Sequence, residues 1–190
     1  MELLKNDLII FDLDKTLVNI KVNYDNFKTE FFNVIKDKYD IPYPHHFNLT
    51  VNYNISLNNI KVKKIAINLL KKYEYNCKYE VMPKTIELIN HLKNKKLALL
   101  TNNLKSTAIY ILKDLDLLQY FKIILGSESV LRTKPDPIGV VAIIKGLNIE
   151  KEKSCFIGDS AVDKSTAFHS KIDFYHISDI YKYLEELNNE

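Results

Sequence analysis

Five times along this chain, a short run of strand-forming residues is followed by a segment with helical periodicity. Leu8-Ile9-Ile10-Phe11 is too short for a helix, apolar without alternation and rich in β-formers. That pattern reads as a strand buried on both faces. It recurs at Lys96 to Leu100, Phe121 to Leu125 and Ser154 to Ile157, with a weaker copy at Ile172 to Ile177. Helical patterns lie between the runs. Pro83 to Lys93 opens with proline at an early helix position and puts Ile86, Ile89 and Leu92 on one side. Leu104 to Leu118, Pro137 to Leu147 and Ala161 to Ser170 follow suit, and Asp179 is placed to cap a last helix ending near Leu187. Strands alternating with helices of that length predict an α/β fold, a Rossmann-like open parallel sheet with helices on both faces.

One segment breaks the rhythm. From about Val18 to about Tyr79 there is no buried-strand signal. Tyr24 to Tyr39 instead carries Phe27, Phe31, Phe32 and Ile35 at helical spacing, and Leu57 to Tyr73 carries Ile60, Ile65, Leu69 and Leu70. Ile41-Pro42-Tyr43-Pro44 separates the two as a helix breaker. The expected division is a sheet core of residues 1–18 and 80–190, with a small all-helical unit at 19–79 inserted after the first strand. A length of 190 residues suffices for one good-sized core with such an appendage.

In an open parallel sheet, ligands bind beyond the carboxyl ends of the strands. The residues that end each run therefore carry the functional information. The first run delivers Asp12 and Asp14, two carboxylates one residue apart, which repel unless a cation or a substrate uses them. The second ends in Thr101-Asn102-Asn103. Beyond the third comes Arg132-Thr133-Lys134-Pro135-Asp136-Pro137, and the fourth ends in Gly158-Asp159-Ser160 with Asp163 close behind. Each of these alone reads equally well as a helix cap or a rigid turn. Their joint occurrence at one sheet edge points to chemistry.

Asp12-Leu13-Asp14-Lys15-Thr16, Thr101, Lys134 and Gly158-Asp159-Ser160-Ala161-Val162-Asp163 resemble, in this order, the four motifs of the haloacid dehalogenase-like superfamily of phosphatases and phosphotransferases. The resemblance spans the whole core. The helical insertion resembles the cap of the phosphoglycolate phosphatase-like and phosphoglucomutase-like branches. It implies a Mg²⁺-dependent phosphatase acting on a small phosphorylated metabolite. In that role Asp12 would attack phosphorus, and Asp14 would protonate the leaving oxygen and later deprotonate water. Thr101, with backbone N–H groups near Asn102, would bind the phosphoryl oxygens, and Lys134 would offset their charge. Asp12 and Asp159 would hold Mg²⁺, joined by the main-chain carbonyl of Asp14 and by Asp163, directly or through water. The alternatives are a sugar-phosphate mutase using the same aspartyl phosphate, or a non-catalytic module on the same fold.

The sequence excludes two further readings. Asp14-Lys15-Thr16-Leu17 echoes the phosphorylation motif of P-type ATPases, but that register leaves Asp12 idle and the chain has no apolar run long enough to span a membrane. A dehalogenase expels a halide that needs no proton, so it has no use for Asp14. The net charge of +3 is small and dispersed, which makes nucleic acid an improbable partner. The Lys-rich stretches Lys61 to Lys64 and Lys93 to Lys96 read as solvated helix faces. Cys77 and Cys155 have no ligand-like spacing and read as ordinary thiols of a cytoplasmic protein, with no targeting segment in evidence. Lys15 stands where the family most often has glycine. Asn19, Lys21, Asn23, His45 and His46 are the candidates to face the substrate from the insertion, and Arg132 is expected to form a surface ion pair.

Overall fold

The computed structural model describes residues 5–39 and 59–187. Its centre is a five-stranded, fully parallel sheet in the order β5-β4-β1-β6-β7. The strands are β1 (Leu8–Phe11), β4 (Lys96–Leu100), β5 (Phe121–Leu125), β6 (Ser154–Gly158) and β7 (Asp173–His176). All four residues of β1 are buried, as an unalternated apolar run requires. Its alternate side chains enter different cores. Ile9 and Phe11 pack with Leu88, Ile89 and Leu92 of α3 (Thr85–Leu92), Ile111 and Leu112 of α4 (Lys105–Asp114), and Ile180 and Leu184 of α7 (Ile177–Leu187). Leu8 and Ile10 pack with Val140 and Ile143 of α5 (Ile138–Leu147) and with Ala167 of α6 (Ala161–Ser170). Helices therefore cover both faces, as the strand pattern predicts.

Among the described residues between β1 and α3, the chain forms two helices, α1 (Tyr24–Tyr39) and α2 (Ile60–Glu74), with their own apolar cluster. Phe27, Phe31 and Phe32 of α1 meet Val62, Ala66 and Leu70 of α2, and Leu104 from the sheet core joins them. A fully buried Phe or Leu contributes about 1.5–3 kcal/mol, so several together are needed to order a two-helix unit. α2 opens at Ile60, where the Asn59 side chain accepts hydrogen bonds from the Lys61 and Val62 N–H groups.

Three expectations are corrected. Two short strands that the sequence did not announce, β2 (Val18–Ile20) and β3 (Tyr79–Val81), pair antiparallel where the chain leaves and re-enters the core. Three residues are too few to display a period. Asp179 lies within the first turn of α7 and does not cap it, since the helix starts at Ile177. Lys63 does not sit on a solvated face: it is buried, and its ammonium donates to the carbonyls of Val130 and of Leu131, the latter at 3.0 Å. Cys77 and Cys155 are buried free thiols. Among the described residues, no helix is long and apolar enough to cross a membrane.

Candidate active site

Asp12 follows the last residue of β1 and continues its ladder, its N–H donating to the Ile157 carbonyl of β6 at 3.0 Å. The side chain is almost wholly buried and lies 2.7 Å from the ammonium of Lys134. The same ammonium donates to Asp163 Oδ1 at 2.6 Å and sits 5.4 Å from the centre of the Phe156 ring. Residues from the ends of β1, β6 and the loop after β5 thus converge on one buried ammonium.

One cation does not balance this cluster. Carboxylate oxygens of Asp12, Asp159 and Asp163 all lie within 4.8 Å of one another. Burial, opposed by Lys134 and reinforced by the charge of Asp163, pushes the Asp12 carboxyl up to about 7. Burial and Asp163 likewise raise Asp159. Burial works against the Lys134 ammonium, but Asp12 and Asp163 outweigh it and raise its pKa. An ion pair alone would lower the carboxyl of Asp12. Its rise reflects burial first and the neighbouring charge of Asp163 second, and Asp159 adds a third carboxylate to the same small space. A hard divalent cation with a preference for oxygen ligands would relieve that excess, so the donor set fits Mg²⁺.

Asp163 serves the local fold as well. Ser160 caps α6: its hydroxyl accepts from the Asp163 N–H, and the Asp163 Oδ2 accepts from the Ser160 N–H at 3.1 Å and hydroxyl at 2.6 Å. The cap reading and the site reading of Gly158-Asp159-Ser160 hold together. Gly158 is required here because a Cβ would stand 2.5 Å from the Asp163 carboxyl carbon.

Asp14 is half-buried, and burial raises its pKa, which suits a group that must hold a proton before giving it up. Its Oδ1 accepts from the Ile20 N–H of β2 at 2.8 Å. Between them Lys15 adopts φ 59°, the left-handed region that glycine takes without cost. Replacing Lys15 by Gly relieves strain in the fold but frees the unfolded chain, two effects of about 1 kcal/mol each. Lys15→Gly should leave the melting temperature nearly unchanged and turnover within a few-fold. A large loss of turnover would show that the ammonium touches substrate.

Thr101 is buried at the end of β4. Its hydroxyl donates to Asn103 Oδ1 at 2.9 Å and accepts from the Asn103 N–H at 3.1 Å. The side-chain amide of Asn102 is committed to the main chain of Lys134, accepting from its N–H at 3.0 Å and donating to its carbonyl at 3.2 Å. Asn102 therefore clamps the Lys134 loop. Arg132 pairs with Asp136 at 3.1 Å on the surface, as expected.

These groups face a cavity of about 530 Å³ lined from the core by Asp12, Asp14, Lys15, Thr101, Asn102, Lys134 and Asp159. The inserted segment supplies the opposing wall. Asn19 and Asn23 are on it, as expected; so is Phe27, whose apolar stripe reads from sequence as core or as a wall over the site, and so are Tyr24, Lys28 and Leu70, which sequence reasoning missed. Phe27 and Leu70 belong to the apolar cluster of α1 and α2, so they are both core and wall. Lys21 does not line the cavity; its ammonium pairs with Glu80 at 2.7 Å. His45 and His46 lie outside the described residues.

The family model for haloacid dehalogenase-like hydrolases matches residues 9–177. The chain belongs to that family. A haloacid dehalogenase-superfamily hydrolase of Ehrlichia chaffeensis superposes with a TM-score of 0.60 at 24% identity, covering 96% of this chain and 97% of that one. That likeness concerns the fold. Among curated relatives, phosphoglycolate phosphatase 1 of Pseudomonas aeruginosa is 33% identical over 86 residues, 44% of this chain and 32% of that protein. Phosphoglycolate phosphatase of Aquifex aeolicus is 34% identical over 89 residues, 47% of this chain and 41% of that protein. The chain thus matches well under half the length of either relative.

Proposed function

We propose that this hydrolase is a Mg²⁺-dependent phosphatase of a small phosphorylated metabolite. The observation that carries the reading is the pairing of Asp12 with the buried Lys134 at the floor of a cavity that Asp14 also faces. Asp12 attacks phosphorus through a carboxylate oxygen as the P–O ester bond breaks, and the departing oxygen takes its proton from Asp14. Asp14, now ionised, removes a proton from water as that water's oxygen attacks the aspartyl phosphate. The P–O bond to Asp12 then breaks, releasing inorganic phosphate and restoring both carboxyl groups. The Thr101 hydroxyl turns its proton from Asn103 to a phosphoryl oxygen, the Asn102 N–H donates to another, and Lys134 neutralises charge shared by Asp12 and the phosphoryl group.

Asp12 and Asp159, with the Asp14 carbonyl, would hold Mg²⁺, which supplies further neutralisation of the phosphoryl oxygens. Both oxygens of Asp163 are taken by Lys134 and Ser160, which supports a role for Asp163 in aiming Lys134 and only a water-mediated link to the metal. Residues 19–79 act as a cap, with α1 and α2 walling the cavity and excluding bulk water. The names of the curated relatives favour a short phosphorylated acid, phosphoglycolate first among them.

Release of inorganic phosphate from a panel of phosphorylated acids, sugars and nucleotides tests this with purified protein. Hydrolysis that needs Mg²⁺ and stops with a chelator is expected, with the best rates on small phosphorylated acids. Isomer formation from a sugar phosphate without phosphate release would identify a mutase. Inactivity across the panel with Mg²⁺ would remove the enzymatic reading.

A further inference from the structure

Tyr24, the first residue of α1, lines the cavity with a hydroxyl that the reaction above does not use. Its ring packs against the apolar cluster of α1 and α2. Asn103, which lines the cavity as well, donates from its side-chain amide to the Tyr24 hydroxyl oxygen.

A buried carboxylate fixes the direction of that hydrogen bond. Glu74, the last residue of α2, accepts from the same Asn103 nitrogen through Oε1 at 2.9 Å and from the Leu104 N–H through Oε2 at 2.9 Å. Burial raises its pKa, while Leu104, Asn103 and Thr107 hold the ionised form. An ionised carboxylate accepts hydrogen bonds and donates none, so the Asn103 NH₂ group must face Glu74. The Asn103 oxygen turns the other way, where it receives the Thr101 hydroxyl at 2.9 Å. Of the two NH₂ protons, one goes to Glu74 and the other to Tyr24. The Tyr24 oxygen is therefore an acceptor at Asn103, and its own proton is not spent there. Among the described residues, no group accepts that proton in a hydrogen bond. Burial first, then the charges of Glu74 and Asp14, push the hydroxyl well above the ordinary tyrosine value, so it stays protonated as a donor.

Its place in the cavity says what that proton would meet. Asp12, Thr101 and Lys134 serve the phosphoryl group from the core, whereas Tyr24 stands on the opposing wall. Asp14, which gives its proton to the leaving oxygen, is close enough for its charge to act on the hydroxyl. We propose that Tyr24 binds the leaving group of the substrate, its hydroxyl donating to an oxygen that this group carries besides the ester oxygen. The class of substrate it selects is the phosphate ester of a hydroxylated or carboxylated alcohol, over the ester of an apolar alcohol, because a site built to donate a hydrogen bond rejects an analogue that cannot accept it. The proposal rests on the phosphatase reading above.

The test compares wild type with Tyr24→Phe, which removes only the hydroxyl, after thermal melting has checked the fold. Inorganic phosphate release is followed from two esters with Mg²⁺ present. One is the oxygen-bearing ester of the panel above that wild type hydrolyses fastest. The other is phenyl phosphate, whose leaving group carries no oxygen besides that of the ester. Calorimetry measures the affinity for inorganic phosphate. Tyr24→Phe is expected to lower kcat/KM about tenfold on the oxygen-bearing ester, the scale of one well-made hydrogen bond. On phenyl phosphate the loss should be less than twofold, with phosphate affinity unchanged.

An equal loss on phenyl phosphate, or a matching loss of phosphate affinity, would mean that the hydroxyl only supports Asn103. Either result overturns the proposal and leaves the phosphatase reading intact, as does an unchanged kcat/KM on the oxygen-bearing ester. Wild type inactive on every ester overturns that reading, and the proposal with it. Should Tyr24→Phe melt too low to assay, competitive inhibition of wild type by phosphonopropionate and by butylphosphonate decides. Both carry a methylene in place of the ester oxygen and are not cleaved, and they differ by a carboxylate against an ethyl group. Inhibition about tenfold tighter by phosphonopropionate is expected, and equal inhibition overturns the proposal.

Discussion

Asp12→Asn is expected to abolish phosphoester hydrolysis, with turnover falling on the order of 10⁴-fold or more, as removal of a nucleophile does in other hydrolases. The amide keeps the shape of the carboxyl and the contact with Lys134, so the loss would be chemical. Stability should move the other way in metal-free protein. The Asp12 carboxyl titrates at about 7 in the fold against an ordinary value of 3.8. A raised carboxyl means that the fold prefers the protonated form, so wild type loses stability as the pH climbs from about 4 to about 7. Asparagine carries no such penalty. Melting curves should therefore show Asp12→Asn at least as stable as wild type at pH 8, with the gap closing toward pH 5. Mg²⁺ should narrow the gap at pH 8 by stabilising only the protein that keeps the carboxylate. Residual hydrolysis within tenfold of wild type would remove Asp12 from the role of nucleophile.

Lys134→Met is expected to damage both activity and fold. Methionine matches the length of the lysine stem and can rest on the Phe156 ring, but it leaves Asp12 and Asp163 facing each other without their ammonium. Breaking a buried charge pair from one side costs about 3–5 kcal/mol. In a chain of this size, that corresponds to a fall in melting temperature of roughly 6–20 °C. The fall should be larger at pH 8 than at pH 5, because acid protonates Asp12 and removes part of the repulsion. Turnover should drop about 10²- to 10³-fold, the scale of losing one preorganised charge at a phosphoryl group. Unchanged stability at pH 8 would contradict the buried charge balance described above.

The sheet was legible because each strand is a short unalternated run and each helix between them keeps a regular apolar face. The strand-end logic also places Asp12, Lys134, Asp159 and Asp163 at one edge, since parallel topology puts those ends together. Less could be read where a residue's partner is remote in sequence. Glu74 reads as the polar end of an amphipathic helix, and Lys63 disappears into a run of lysines. Only the docking of α2 against the Thr101 and Leu131 loops turns them into buried ions. The cavity wall was legible only in part for a related reason: an apolar stripe shows that Phe27 and Leu70 are buried and leaves open whether they also face a cleft. The strands β2 and β3 are held by their mutual pairing, a signal that three residues do not carry in their own composition.

The place of β1 in the sheet has a consequence for how the sheet forms. Leu8 pairs with Lys96 on one side and with Ser154 on the other, so β1 is completed by a strand that follows it far along the chain. Such distant pairings slow folding, because the intervening chain must be ordered before they form. Until β6 emerges, β1 exposes an unpaired apolar edge, the kind of surface on which nascent chains associate wrongly. The strand that covers that edge also brings in Asp159 and Asp163. During synthesis or refolding, recovery of hydrolase activity would therefore report closure of the sheet at β1.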